Sequence, residues 1–181
     1  MDDIVKAAIR KWPNVPHCHG WLGLDARGDW YLRDEPTQRS GPFPQAKGSR
    51  VTHGKLKEFI GRNYEHDDQG QWFFQNGPQR VYVWLEAAPW VIGVMADVTA
   101  PGGWRLETHT GLPVAEVRGT YLDEQGRLFL LTEHGLGVVR SMDMVAAAEA
   151  MDALQWQPEE VVARELLAQQ PVVLNPQPAA A

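Results

Sequence analysis

The chain has 181 residues, of which 44% are apolar and 22% charged. That balance fits one large folded domain or two small ones, and suits neither a disordered chain nor a membrane protein. One cysteine excludes an internal disulfide, and a net charge of −6 argues against a general binder of nucleic acid or anionic membrane.

The opening Met1-Asp2-Asp3-Ile4 lacks the basic-then-apolar order of a signal peptide, and a cytoplasmic location is expected. Asp3 is expected to cap a first helix that aligns Ile4, Val5, Ala8, Ile9 and Trp12 and stops at Pro13 and Pro16. Strands are predicted at 20–24 and 30–32, followed by a loop over 33–49. A second helix over 52–64 turns Leu56, Phe59, Ile60 and Tyr64 to one face. Residues 71–74 and 79–86 read as strands joined at Asn76-Gly77, a pair that accepts positive φ. More strands are predicted at 90–95, 104–108, 114–122, 128–132 and 136–139. Ser141 is expected to cap a third helix reaching about residue 154, with Met144, Val145, Ala148 and Met151 inward. Pro158 suits the first turn of a fourth, with Glu159 and Glu160 near its positive end. Residues 175–181 are expected to fray. The pattern predicts an α+β fold: antiparallel hairpins packed with helices in two repeat-related halves, 1–76 and 77–156, then a short helix and tail over 157–181.

One phrase occurs three times, beginning at Asp25, Asp67 and Asp123, with glycine three places on at Gly28, Gly70 and Gly126 and apolar residues after it. An aspartate can accept backbone N–H groups across a tight turn, and a glycine there can take the left-handed conformation of a bulged hairpin. None of the three has the alternating ligands of a calcium loop. They are expected to be hairpin turns.

Candidates for chemistry are few. His17 and His19 flank Cys18; in an extended chain the histidines share one face and could hold a metal, with the thiol on the other. Serine-nucleophile, phosphate-loop and dinucleotide motifs are missing, so no catalytic residue and no cofactor is assigned. A basic stretch over 39–62 and an acidic segment from 141 onward read as solvated faces or mutual partners. Arg140-Ser141 before a predicted helix start could make an anion site, because free N–H groups and the positive dipole end lie there. Residues 108–111 could face that site. Trp84, Trp90 and Trp104 line a pocket or fill a core.

Several phrases together resemble a proteobacterial family of unknown function. They are Trp12, Pro16-His17-Cys18-His19-Gly20, Arg27-Gly28-Asp29-Trp30-Tyr31, Leu56 with Phe59 and Ile60, Gln79-Arg80-Val81, Glu86-Ala87-Ala88-Pro89-Trp90, Gly135-Leu136 and Arg140-Ser141. A larger proteobacterial domain-of-unknown-function family with a repeat-containing fold is similar at greater distance. The resemblance implies two repeat-related α/β units and a ligand-binding or signalling role. Gln79 and Ala87 stand where that family's pattern has acids. The leading expectation is a non-enzymatic regulatory or binding protein for a small anionic ligand or a protein partner, with neither nucleic acid nor membrane as partner. Its expected site is Arg140, Ser141, His109, Arg80 and Trp90. The alternatives are a metal-dependent hydrolase using His17 and His19, and a structural interaction module, with a homodimer as one form.

Overall fold

The computed structural model describes residues 1–178. Its contacts divide the chain into two compact units: residues 1–25, 29–86 and 172 onward in the first, and 26–28 with 87–171 in the second. The boundary expected at 76/77 falls inside a strand pair, and the division comes after Glu86 instead.

The first unit runs α1 (Asp3–Lys11), β1 (Cys18–Leu24), β2 (Trp30–Leu32), α2 (Glu35–Ser40), β3 (Ser49–Arg50), α3 (Gly54–Arg62), β4 (Tyr64–His66), β5 (Trp72–Asn76) and β6 (Gln79–Leu85). Its six strands lie in the order β3-β2-β1-β6-β5-β4. Two antiparallel meanders meet at β1 and β6, which run parallel. Leu22, Leu24, Trp30, Ile60, Phe73, Val83 and Leu85 fill its core. The N-cap of α1 is Asp2, one place before the expected residue, and its carboxylate meets Arg62. In α3 the cap is His53, whose Nδ1 accepts the N–H of Leu56. The expected loop over 33–49 holds the short α2, because Asp34 accepts the N–H of Thr37. The β5–β6 turn has Gly77-Pro78 at its centre, with Asn76 paired to Gln79, so the positive φ falls on Gly77 alone.

The second unit runs β7 (Trp90–Ala96), β8 (Trp104–Thr108), β9 (Val117–Asp123), β10 (Leu128–Thr132), β11 (Gly135–Val139), α4 (Met144–Ala153), β12 (Glu159–Val161) and α5 (Ala163–Ala168), with 3-10 turns at Pro101–Gly103 and Ser141–Asp143. Its order is β12-β9-β10-β11-β7-β8. Here too a hairpin and a meander join through a parallel pair, β7 with β11. The fold is α+β with two similar mixed sheets. The core is Val91, Ile92, Leu128, Phe129, Leu130 and Val138, covered by Ala147 and Ala150 of α4.

Two expectations fail in this unit. Val145 is exposed and Ala147 is buried, because the 3-10 turn at Ser141–Asp143 resets the phase of α4; Met144, Ala147, Ala150, Met151 and Leu154 make the inward stripe. Pro158 does not open a helix. Glu159 and Glu160 lie in β12, parallel to β9, and α5 starts only at Ala163.

Fraying is expected over 175–181, yet the chain is bonded just before that stretch and at Pro176 within it. The N–H groups of Val173 and Leu85 donate to the carbonyls of Gly70 and Leu174, and Trp84 Nε1 donates to the carbonyl of Pro176 at 3.2 Å. Backbone pairing holds this strap to the first unit. Ala179, Ala180 and Ala181, also expected to fray, lie outside the described residues.

The three repeated phrases are turns. Asp25 Oδ1 accepts the N–H of Asp29, Asp67 Oδ1 those of Gln69 and Gln71, and Asp123 Oδ1 those of Gln125 and Arg127. Gly28, Gly70 and Gly126 have φ of 87°, 74° and 73°. A Cβ on Gly126 would meet nothing within 4 Å, so only conformation opposes a side chain there. Gly126→Ala is expected to lower unfolding stability by about 1 kcal/mol in urea titration, the cost of the left-handed region for an L-residue.

Candidate functional site

The two ideas that the sequence raised separately meet in the first unit. Pairing of β1 with β6 sets Cys18 opposite Val81. It thereby brings His17 and His19 beside Arg80 and Tyr82, and the Asp67 turn closes the hollow. The cavity measures about 370 Å³ and includes Gln71 and Gln177. Strand alternation explains which side chains arrive: His17 and His19 line this polar hollow, whereas Cys18 lines an apolar one with Trp21, Phe59 and Phe74.

Contacts fix the geometry. The imidazole of His19 stacks on Tyr82 with centroids 4.5 Å apart and planes 12° from parallel, and His17 approaches the same ring edgewise at 6.0 Å. Tyr82 is buried and donates its hydroxyl to Asp67 Oδ2 at 3.1 Å. The Asp67 carboxylate thus holds both the turn and the tyrosine. His17 Nδ1 accepts the backbone N–H of Arg80 at 3.4 Å. The Arg80 guanidinium lies 4.4 Å from the centroid of Phe73, a cation–π contact, and has no carboxylate partner among the described residues. Burial, then the Arg80 charge, lowers the His17 pKa below the ordinary histidine value; burial, then His17, does the same for His19. Both rings are therefore neutral at pH 7, and Arg80 carries the positive charge of the hollow.

The expected anion site at Arg140 is arranged differently. The N–H of Arg140 donates to the carbonyl of Ile92, and Nε and Nη2 both lie 2.7 Å from Asp143 Oδ2. That oxygen also accepts the N–H of Val94. An internal carboxylate already holds this arginine. The guanidinium also lies against Gly93, where a Cβ would overlap it. Ser141 is exposed in the 3-10 turn. His109 and Trp90 lie together, ring centroids 5.8 Å apart, and Trp90 Nε1 donates to the carbonyl of His134. His109 Nδ1 accepts the N–H of Val91, and burial of the ring nitrogens pushes its pKa down to about 3. Arg80 belongs to the first unit, so the five residues do not form one cluster within either.

His17 and His19 are the only two histidines in the polar hollow, and among the described residues no group of three or more His, Cys, Asp or Glu could hold a metal ion. Four cations of the basic stretch over 39–62 pair within the first unit: Arg39 with Glu35, Lys47 with Asp25 and Glu86, Arg50 with Asp29, and Arg62 with Asp2. Among the described residues, no helix is long and apolar enough to cross a membrane. Sequence reasoning missed Tyr82 and Asp67 as members of the hollow. The signal available was alternation in β6, which puts residues 80, 82 and 84 on one face.

The family model DUF2944, described as "Protein of unknown function (DUF2946)", matches residues 1–179. The chain is similar to the crystal structure of a DUF1285 family protein from Shewanella baltica OS155, at 17% identity over 72% of this chain and 91% of that one, with a TM-score of 0.48. It is likewise similar to a DUF1285 family protein from Silicibacter pomeroyi DSS-3, at 11% identity over 80% and 74%, with a TM-score of 0.49. No curated protein matches.

Proposed function

The chain belongs to the DUF2944 family, whose function is unknown, and within it we propose that the first unit is a binding module for a small ligand bearing a carboxylate or phosphate group. The observation that carries this reading is Arg80: a cation fixed on Phe73 at the wall of a polar hollow, with no carboxylate partner among the described residues. A guanidinium so placed offers a planar pair of donors to an oxyanion. Neutral His17 can add a hydrogen bond, and the stacked His19–Tyr82 pair presents a flat surface for the ligand's body. Asp67 supports Tyr82 and leaves the ligand to the other groups. Arg140 has the same chemistry, but its own chain supplies the carboxylate.

Calorimetric titration with inorganic phosphate, citrate and a nucleoside monophosphate tests this. At least one probe is expected to bind, and Arg80→Gln should weaken it roughly tenfold or more, the scale of a lost charge-assisted hydrogen bond. An anion beside His17 and His19 favours their protonated forms, so affinity should rise as pH falls through their titration range. Equal affinity in Arg80→Gln, or no binding of any probe, overturns the reading.

A further inference from the structure

The net charge is divided unequally. The first unit has eleven basic and eleven acidic side chains, whereas the second has twelve carboxylates against six arginines and so holds the whole excess of −6. Two adjoining hollows occupy one region of the second unit. The larger, about 740 Å³, is lined by Trp104, Leu106, Tyr121, Leu154 and Trp156. The other, about 700 Å³, shares Tyr121 and Glu159 with it and adds Glu124, Glu160 and Glu165. Among the described residues no ion pair joins Glu159, Glu160 or Glu165 to a basic side chain. The one arginine of the larger hollow, Arg118, is held by Glu116 at 2.7 Å, and Arg127 is held by Asp123.

A strand edge lines the larger hollow. β12 pairs with Tyr121–Asp123 only, so among the described residues Val117–Thr120 of β9 has no strand on its outer side. Such an edge offers main-chain donors and acceptors in the spacing of an extended chain.

We infer that this face of the second unit docks an extended basic peptide of a protein partner. An apolar or aromatic side chain enters the trough of Trp104, Tyr121 and Trp156. Main chain pairs along the open edge of β9. Lys or Arg side chains reach Glu159, Glu160 and Glu165. Charge complementarity chooses this occupant: an acidic segment would be repelled, and a neutral one would leave three carboxylates without partners.

Panning a phage library of random twelve-residue peptides on the full chain tests the inference. Enriched sequences should combine Lys or Arg with an aromatic or branched apolar residue. The most enriched one, synthesised with a fluorophore, should bind with an affinity that falls steeply between low and high salt. A Glu159→Lys, Glu160→Lys double variant should lose at least tenfold in affinity. Both side chains are exposed, so the variant should fold, which circular dichroism confirms. Trp156→Ala should also weaken binding, and Arg80→Gln should not. No enrichment, enrichment of acidic sequences, or unchanged affinity in the double variant overturns it. So does light scattering that shows a dimer abolished by the charge reversal, since a second copy is then the occupant.

Discussion

Arg33→Met is expected to lower the unfolding free energy of the first unit by about 3–5 kcal/mol, the range for stranding the partners of a buried charge. Arg33 is 1% exposed. Its guanidinium donates to the carbonyls of Gly41 at 2.7 Å, Ala46 at 2.9 Å and Gly20 at 3.2 Å. One face lies 4.8 Å from the ring centroid of Trp84 and another 6.0 Å from that of Phe43. Carbonyl dipoles and aromatic faces, rather than a carboxylate, compensate the charge. The side chain therefore ties the segment over 41–46 to the end of β1. Methionine fills much of the volume but leaves three acceptors without that donor. Arg33→Lys keeps the charge on a single ammonium that cannot reach all three carbonyls, and should recover only part of the loss. Urea unfolding followed by tryptophan fluorescence checks both. A loss below about 1 kcal/mol for methionine would show that water replaces the guanidinium freely.

Acid should destabilise the second unit well before its carboxylates are all protonated. His109 has a pKa of about 3 in the fold against an ordinary value of 6.5. Between those values the unfolded chain binds a proton that the folded one does not. Stability from this group is therefore full above about pH 6.5 and is lost as pH falls, with a slope approaching about 1.4 kcal/mol per unit. His109→Leu removes the titrating group and the acceptor for the Val91 N–H, at a cost of about 1 kcal/mol near pH 7. Unfolding free energies of the two chains should converge, then cross, between pH 7 and pH 4. Other acid-sensitive groups, including Asp97, Glu116 and Glu133, act in both chains and cancel in the difference. Parallel curves would show that the imidazole is not held neutral by burial.

What the sequence disclosed was mostly local. Glycine three places after aspartate marks each turn because the geometry closes within five residues. Alternation across His17, Cys18 and His19 is likewise a property of three neighbours, and the two histidines line one hollow and the thiol another, on the opposite faces expected. The phase of α4 was lost because a single 3-10 turn at Ser141–Asp143 rotates everything after it. β12 was hidden behind Pro158, which serves a strand entry as well as a helix start. Least legible were the parallel contacts. β1 and β6 are far apart in the chain, and nothing near either names the other. Yet that pairing carries His17 to Arg80, so the candidate site was visible as parts and not as a place. Arg33 was passed over because an arginine among prolines and glycines looks solvated. Its carbonyl partners are set by the loop's path, which composition does not specify.

The strap formed by Val173, Leu174 and Pro176 has a consequence for biosynthesis. During translation the second unit, almost all of it contiguous from residue 87 to 171, is synthesised before the strap. The first unit meanwhile lacks the segment that bonds Gly70, Trp84 and Leu85. The earlier-born half of this protein is thus the later one to be completed, since its closing segment is made only after the whole of its successor has been synthesised.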